Sequence, residues 1–288
     1  MIRLGKHNIM EVVREVDFGM YLDAGEVGEV LIPGKYIPEG TQIGDKLRVF
    51  LHLDSEERLV ATTEEPKVEV NEFAYLQVKW VNEYGAFLDW GLTKDLFCPF
   101  KEQKTKMVQG KSYIIFCYID PVTYRIVASA KVDKFLSDDM PPYHSGEEVD
   151  ILIQQKSDLG MKAIVDGQYR GLIFDNEIFQ PLHTGDRLKA YVKQVRPDGK
   201  IDLKLQRYFG KKRITTFSDQ LLIYLKTCPD GFCPLHDKSE AEEIYSTFGV
   251  SKKTFKRGVG DLYKHQFITL HPDGIRLTPK GAAEGTED

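Results

Sequence analysis

Aromatic and cationic side chains alternate along several short segments of this chain. In "KLRVFLHLD" (46–54) the alternate positions are Arg48, Phe50 and His52; in "SYIIFCYID" (112–120) they are Ile114, Phe116 and Tyr118. In "RLKAYVKQV" (187–195) they are Lys189, Tyr191 and Lys193. Rings can stack on unpaired bases, at about 1–3 kcal/mol per base, while ammonium and guanidinium groups follow phosphates. Single-stranded nucleic acid is therefore the partner this pattern suits. Packing of the same rings against a neighbouring domain is the alternative, and the sequence leaves it open.

Bond-making chemistry is not indicated. The seven histidines form no HxxxH or HExxH arrangement, and there is no P-loop, GxGxxG after a strand, or nucleophile elbow. In "CPDGFC" Cys228 and Cys233, with His236 beyond, are spaced more widely than a zinc pair and lack a second pair. Pro229-Asp230-Gly231 reads as a turn. Asp138 and Asp139 lie in the Pro-rich "SDDMPPYHSGEE", which reads as linker. The expectation is no catalytic residue, no metal, no cofactor and no small-molecule substrate.

The elements that would position the rings come from a repeat. "VDFGMYLDAG" (16–25) returns as "NEYGAFLDWG" (82–91), and Gly19, Asp23, Gly25, Pro33, Gly44 and Phe50 all recur 66 positions later. A third copy follows at 75: Gly85 becomes Gly160, Gly110 becomes Gly185 and Arg125 becomes Lys200. Each unit reads as about five short strands, the scale of a closed OB-type barrel. Gly19, Gly85 and Gly160 would sit where a strand bends to close it. Met20, Leu22, Ala86, Leu88, Met161 and Ala163 form the core face of the following strand. Tyr21, Phe87 and Lys162 lie on the outer face.

After residue 210 the pattern becomes helical. Leu221, Leu222 and Leu225 mark one helix. Ser239 with Glu242 reads as a capping box opening a second, with Ile244, Tyr245 and Phe248 inward. Ser251 caps a third whose apolar stripe is Phe255, Val259, Leu262 and Tyr263. Asp273-Gly274 signals a hairpin, and "AAEGTED" a frayed tail. Three helices and a hairpin make a winged helix-turn-helix. Lys252, Lys253, Lys256, Arg257 and Lys264 lie off its apolar stripe as nucleic-acid contacts, and Gly258 and Gly260 suggest close backbone approach. The fold class is thus mainly β and multidomain: three tandem five-stranded OB-type barrels plus an α/β winged helix. The expected domains are 1–66, 67–136, 145–208 and 214–281.

An aromatic-Gly-x-aromatic-aliphatic run, then "LFCP" and a basic residue before the last strand, resembles the S-one RNA-binding motif, most closely in the second unit. That resemblance implies RNA contacts at Lys79, Phe87 and Phe97. Tyr84 and Arg125 complete the set in that unit, with Phe116, Tyr118, Lys162, Lys189, Tyr191 and Lys193 outside. Leu31 and Leu172 stand where Phe97 does. "YVKQVRPDGKIDLKLQ" (191–206), "DKS" (237–239) and "SKKTFKRGVGDLYK" (251–264) extend the resemblance to the conserved virulence factor B family. It implies a nucleic-acid-binding regulator of gene expression, not an enzyme.

The net charge of −5 argues against a generic polycation. Residues 1–70 hold 8 basic against 14 acidic side chains, whereas 249–280 hold 7 against 2, so a polyanion must be met by local patches. No segment approaches a membrane span, the N-terminus lacks a signal-peptide core, and four cysteines do not make a disulfide framework. A cytoplasmic protein is expected, with single-stranded RNA the favoured partner and duplex DNA second. A protein-interaction scaffold is the remaining alternative.

Overall fold

The computed structural model describes residues 2–178, 181–205 and 217–283. The expected barrels are present. The first comprises β1 (His7–Val16), β2 (Gly19–Asp23), β3 (Glu29–Pro33), β4 (Lys46–Leu53) and β5 (Leu59–Thr62). The second comprises β6 (Glu72–Val81), β7 (Gly85–Leu88), β8 (Leu96–Pro99), β9 (Ser112–Ile119) and β10 (Ile126–Ser129). The third comprises β11 (Glu148–Ser157), β12 (Gly160–Val165), β13 (Tyr169–Phe174), β14 (Arg187–Val195) and β15 (Ile201–Lys204). Each closes with the same strand order, the third strand lying parallel to the fifth.

The recurrent glycines admit a neighbouring backbone. A Cβ on Gly85 would stand 2.3 Å from the Cys98 carbonyl oxygen; on Gly19 it would be 2.3 Å from that of Ile32, and on Gly160 2.0 Å from that of Ile173. These approaches let the second strand lie tightly against the third. The inward residues Met20, Leu22, Ala86, Leu88, Met161 and Ala163 are all buried, as the alternation requires.

The outer face of the fourth strand departs from the expectation. Phe50 is fully buried, its ring 5.5 Å from that of Trp90 in the second barrel and nearly perpendicular to it, within a cluster that includes Val68 and Val70. Its repeat equivalent Phe116 is buried too, 4.6 Å from Phe73 and stacked at 4.2 Å on Phe135, in a cluster with Leu152 and Ile164 of the third barrel. Tyr118 is half-buried against Phe135 at 5.0 Å. The even alternation of residues separates barrel interior from exterior, but here the exterior is covered by the next barrel. Phe116 and Tyr118 are therefore packing groups and not open stacking platforms.

The winged helix consists of α1 (Phe217–Thr227), β16 (Phe232–Cys233), α2 (Ala241–Phe248), α3 (Lys252–Lys264), β17 (Ile268–His271), β18 (Gly274–Leu277) and a short α4 (Pro279–Ala283). Leu221, Leu222, Leu225, Ile244, Phe255, Val259 and Leu262 form its core. Ser251 caps α3 by accepting from the Thr254 amide at 3.2 Å. The capping box at Ser239 does not form. Glu240 is the first capping position, and the Ser239 hydroxyl accepts instead from the His236 amide at 3.0 Å. Tyr245 and Tyr263 are exposed, because each follows a core residue by one position and so points about 100° away from it. Gly258 does make a close approach, to Phe217, whereas nothing lies near Gly260. The tail over 284–288 and the segment 206–216, with the ends expected there for two domains, fall outside the described residues.

Truncating Phe50 or Phe116 to alanine should cost about 3–5 kcal/mol. Each should also separate the melting of adjacent barrels. Denaturant unfolding followed by Trp90 fluorescence for Phe50→Ala tests this, and an unchanged single transition would contradict it.

Candidate nucleic-acid interface

The interface is built from a bulge. Pairing between β6 and β7 slips between Val78 and Trp80, so that Val78 faces Leu88 but Trp80 faces Phe87. The extra residue puts Lys79 and Trp80 outward in succession, where strict alternation would bury one of them. Trp80 then stacks on Phe87, with ring centroids 3.6 Å apart and planes 5° from parallel. Across β7 and β8, Phe87 pairs with Phe97, at 4.9 Å between centroids. Three rings thus run side by side over the barrel.

All three barrels carry this bulge, and their side chains occupy equivalent places. In the first barrel the row is Arg14, Tyr21 and Leu31; in the third it is Gln155, Lys162 and Leu172. The Arg14 guanidinium sits 4.2 Å over the Tyr21 ring. Lys162 is exposed and Leu172 buried. Only the second barrel has an aromatic at every place in the row.

The polar groups hold the rings in position. Asp95 accepts from the Trp80 indole nitrogen at 3.0 Å and pairs with Lys79 at 2.8 Å. Lys79 is therefore a committed cation, with its pKa raised chiefly by that bond. Asp89 is held below the usual carboxylate range, first by the Lys67 ammonium bonded to it. Its other oxygen accepts from the Gly91 amide at 3.2 Å.

Phe87, Phe97, Tyr84 and Arg125 line one open cleft of about 420 Å³. Leu53, Ser55 and Glu57 of the first barrel form its opposite wall, and Glu57 pairs with Arg125. Trp80 supports the cleft from behind Phe87. The structure therefore brings together Lys79, Tyr84, Phe87, Phe97 and Arg125. Phe116 and Tyr118 lie apart, in the contact with the third barrel.

The third-barrel candidates are engaged with acids. Lys189 pairs with Asp150 at 2.9 Å, the Tyr191 hydroxyl donates to Glu148 at 2.8 Å, and Lys193 pairs with Glu177 at 2.6 Å. On the winged helix Lys253, Lys256, Arg257 and Lys264 are exposed along α3, while Lys252 is half-buried and donates to the Lys238 carbonyl at 3.3 Å.

Trp80 is the member of the row that sequence reasoning missed. A shift of 66 aligns it with Arg14, an aromatic against a cation. That pairing, with an exposed aromatic and a lysine adjacent in a strand, was the available signal for a bulge.

Comparison with known proteins agrees with this architecture. Residues 4–64 match the S1 (S-one) domain family, and residues 219–277 the CvfB-like winged helix domain. The S1 match thus falls on the first barrel, whereas the motif reads most fully in the second. An uncharacterized protein of Bacillus subtilis, YitL, is 26% identical over 277 residues, 92% of this chain and 90% of its own. Conserved virulence factor B of Staphylococcus saprophyticus is 24% identical and that of Staphylococcus aureus 23%, each over 83% of this chain and 82% of theirs. Among solved structures, a multidomain protein with nucleic acid binding domains from Streptococcus pneumoniae aligns over 96% of this chain and 98% of its own, at 21% identity and a TM-score of 0.42.

Because its folded pKa is depressed, Asp89 adds stability above its unfolded value near ~3.9. That contribution is lost as pH falls through the lower folded value. A carboxyl NMR titration should find its midpoint below ~3.9 in the wild type and higher in Lys67→Ala. Equal midpoints would show that Lys67 is not its main partner.

Proposed function

We propose that this chain, a homologue of the conserved virulence factor B proteins, binds single-stranded RNA on its second barrel and thereby regulates gene expression after transcription, without catalysis. The S1 domain and the CvfB-like winged helix are nucleic-acid-binding types, which supports nucleic-acid binding as the general activity. The finer reading rests on one observation: Phe87 and Phe97, backed by Trp80, present ring faces to an open cleft beside Tyr84 and Arg125. Unpaired bases can lie on such rings, whereas a duplex keeps its bases stacked on one another. The charged groups of the cleft are balanced, Lys94 and Arg125 against Glu57 and Asp95. Stacking would then carry more of the affinity than charge.

Among the described residues no helix is long and apolar enough to cross a membrane. All four cysteines are free, and the cytoplasm, where thiols stay reduced, is the compartment we assign. A second reading, duplex DNA held by α3, is favoured by the exposed cations Lys253, Lys256 and Arg257, for which no carboxylate partner occurs among the described residues.

Fluorescence anisotropy with a labelled single-stranded RNA and a duplex DNA of equal length, at two salt concentrations, separates the readings. RNA should bind more tightly, with a shallow salt slope. Phe87→Ala with Phe97→Ala should weaken it by about 1–3 kcal/mol for each lost stack, roughly 5- to 150-fold. Thermal stability should fall far less than in Phe50→Ala. Duplex preference with a steep slope, abolished by Lys256→Ala with Arg257→Ala, would overturn the proposal in favour of the winged helix.

A further inference from the structure

The aromatic cleft of the second barrel continues onto the first. A neighbouring cleft of about 750 Å³ lies over the first barrel's equivalent face and is lined in part by Phe18, Tyr21, Leu31, Lys35 and Tyr36. The two clefts share Ser55 and Lys94. The join is made by the loop between β7 and β8, which reaches out of the second barrel. There the Thr93 and Tyr36 hydroxyls bond at 2.8 Å, and the Lys94 ammonium donates to the Asp54 carbonyl at 2.6 Å.

The charges along this surface differ in how they are committed. Arg58 is bonded to Asp54, Arg14 to Glu29, Lys79 to Asp95 and Arg125 to Glu57. Each pair leaves little net field, so the acidic balance of the first barrel is largely cancelled within the clefts. Lys94 is the exception. Its printed partner is a neutral carbonyl, so two of its three N–H donors remain for an anion. Burial at the junction lowers its pKa, a cost that an arriving phosphate would relieve. On either side of this cation stand rings: Phe18, largely exposed, and Tyr21 on one hand, Phe87 and Phe97 on the other. Rings, a cation at the crossing point and rings again match the repeat of bases and phosphates in one strand.

We propose that a single-stranded RNA is bound continuously across the first two barrels, with a phosphate on Lys94 where the two clefts meet. This rests on the RNA-binding reading and extends it to a barrel whose composition alone argues against polyanions. Its affinity comes from rings and one junction cation, and the Glu57 carboxylate opposes it.

Anisotropy with labelled oligouridylates of about four and about twelve nucleotides tests the proposal, since one OB-type barrel covers roughly 4–16 nucleotides. The longer oligonucleotide should bind the wild type at least tenfold more tightly, roughly the gain from one further stacked base. Phe18→Ala with Tyr21→Ala should remove most of that gain while leaving the short oligonucleotide within about twofold, as expected when only the second stack is lost. Lys94→Ala, an exposed change, should weaken the longer one independently. Glu57→Gln should tighten it, by removing a carboxylate from the path and releasing Arg125, which a purely structural role for that ion pair would not do. If first-barrel and Lys94 variants bind the longer oligonucleotide as the wild type does, the continuous track is wrong and binding is confined to the second barrel. If the wild type binds neither oligonucleotide, the RNA-binding reading fails, and the track with it.

Discussion

The arrangement of the barrels depends on one buried contact used twice. Phe50 and Phe116 occupy the same place in successive repeats, on the outer face of the fourth strand, and each is buried against residues of the barrel that follows. A phenylalanine ring buried in this way contributes more than any of the surrounding surface ion pairs, whose typical worth is about 0–1 kcal/mol. It therefore settles which side of each barrel is closed to ligands. The side left open is the one on which the second and third strands carry the bulged row. Binding chemistry and assembly are kept on different faces of the same small sheet.

The bulge makes that division possible. By inserting one residue at the end of the first strand, it lets two consecutive side chains face outward without disturbing the inward set at Val78 and Leu88. Arg14, Trp80 and Gln155 can thus differ freely while the cores beneath them stay alike. Specialisation of the second barrel for aromatic contacts, and of the third for charge, needed no change in fold. The same geometry explains why Asp95 serves both Lys79 and Trp80: the two neighbours emerge on one side and reach one carboxylate.

Much of the fold was legible in the sequence because the repeat supplied three readings of each position. The inward residues, the close-packed glycines, the hairpin at Asp273-Gly274 and the Ser251 cap follow from local rules that tertiary contacts did not override. The site was legible only in part. Period-two alternation put Phe87 and Phe116 in one class, since both point out of a barrel, and it holds no information on whether another domain covers that surface. Trp80 escaped because a bulge breaks the period on which the sorting relied. Tyr245 and Tyr263 were misplaced for a related reason: a helix stripe is narrow, and one position at its edge is the difference between core and solvent.

The Phe50 contact also has a direction in time. It is made with Trp90, about 40 residues further along, so a chain emerging from the ribosome completes its first barrel before the partner of that ring exists. At ordinary elongation rates the interval is roughly 2–8 s, and it recurs when Phe116 waits for Leu152 and Ile164. During synthesis each finished barrel therefore shows a single apolar patch to whatever is nearby, and the next segment of the same chain is what covers it. Tandem order along the gene is, in this sense, a schedule by which every exposed ring is hidden by its own successor.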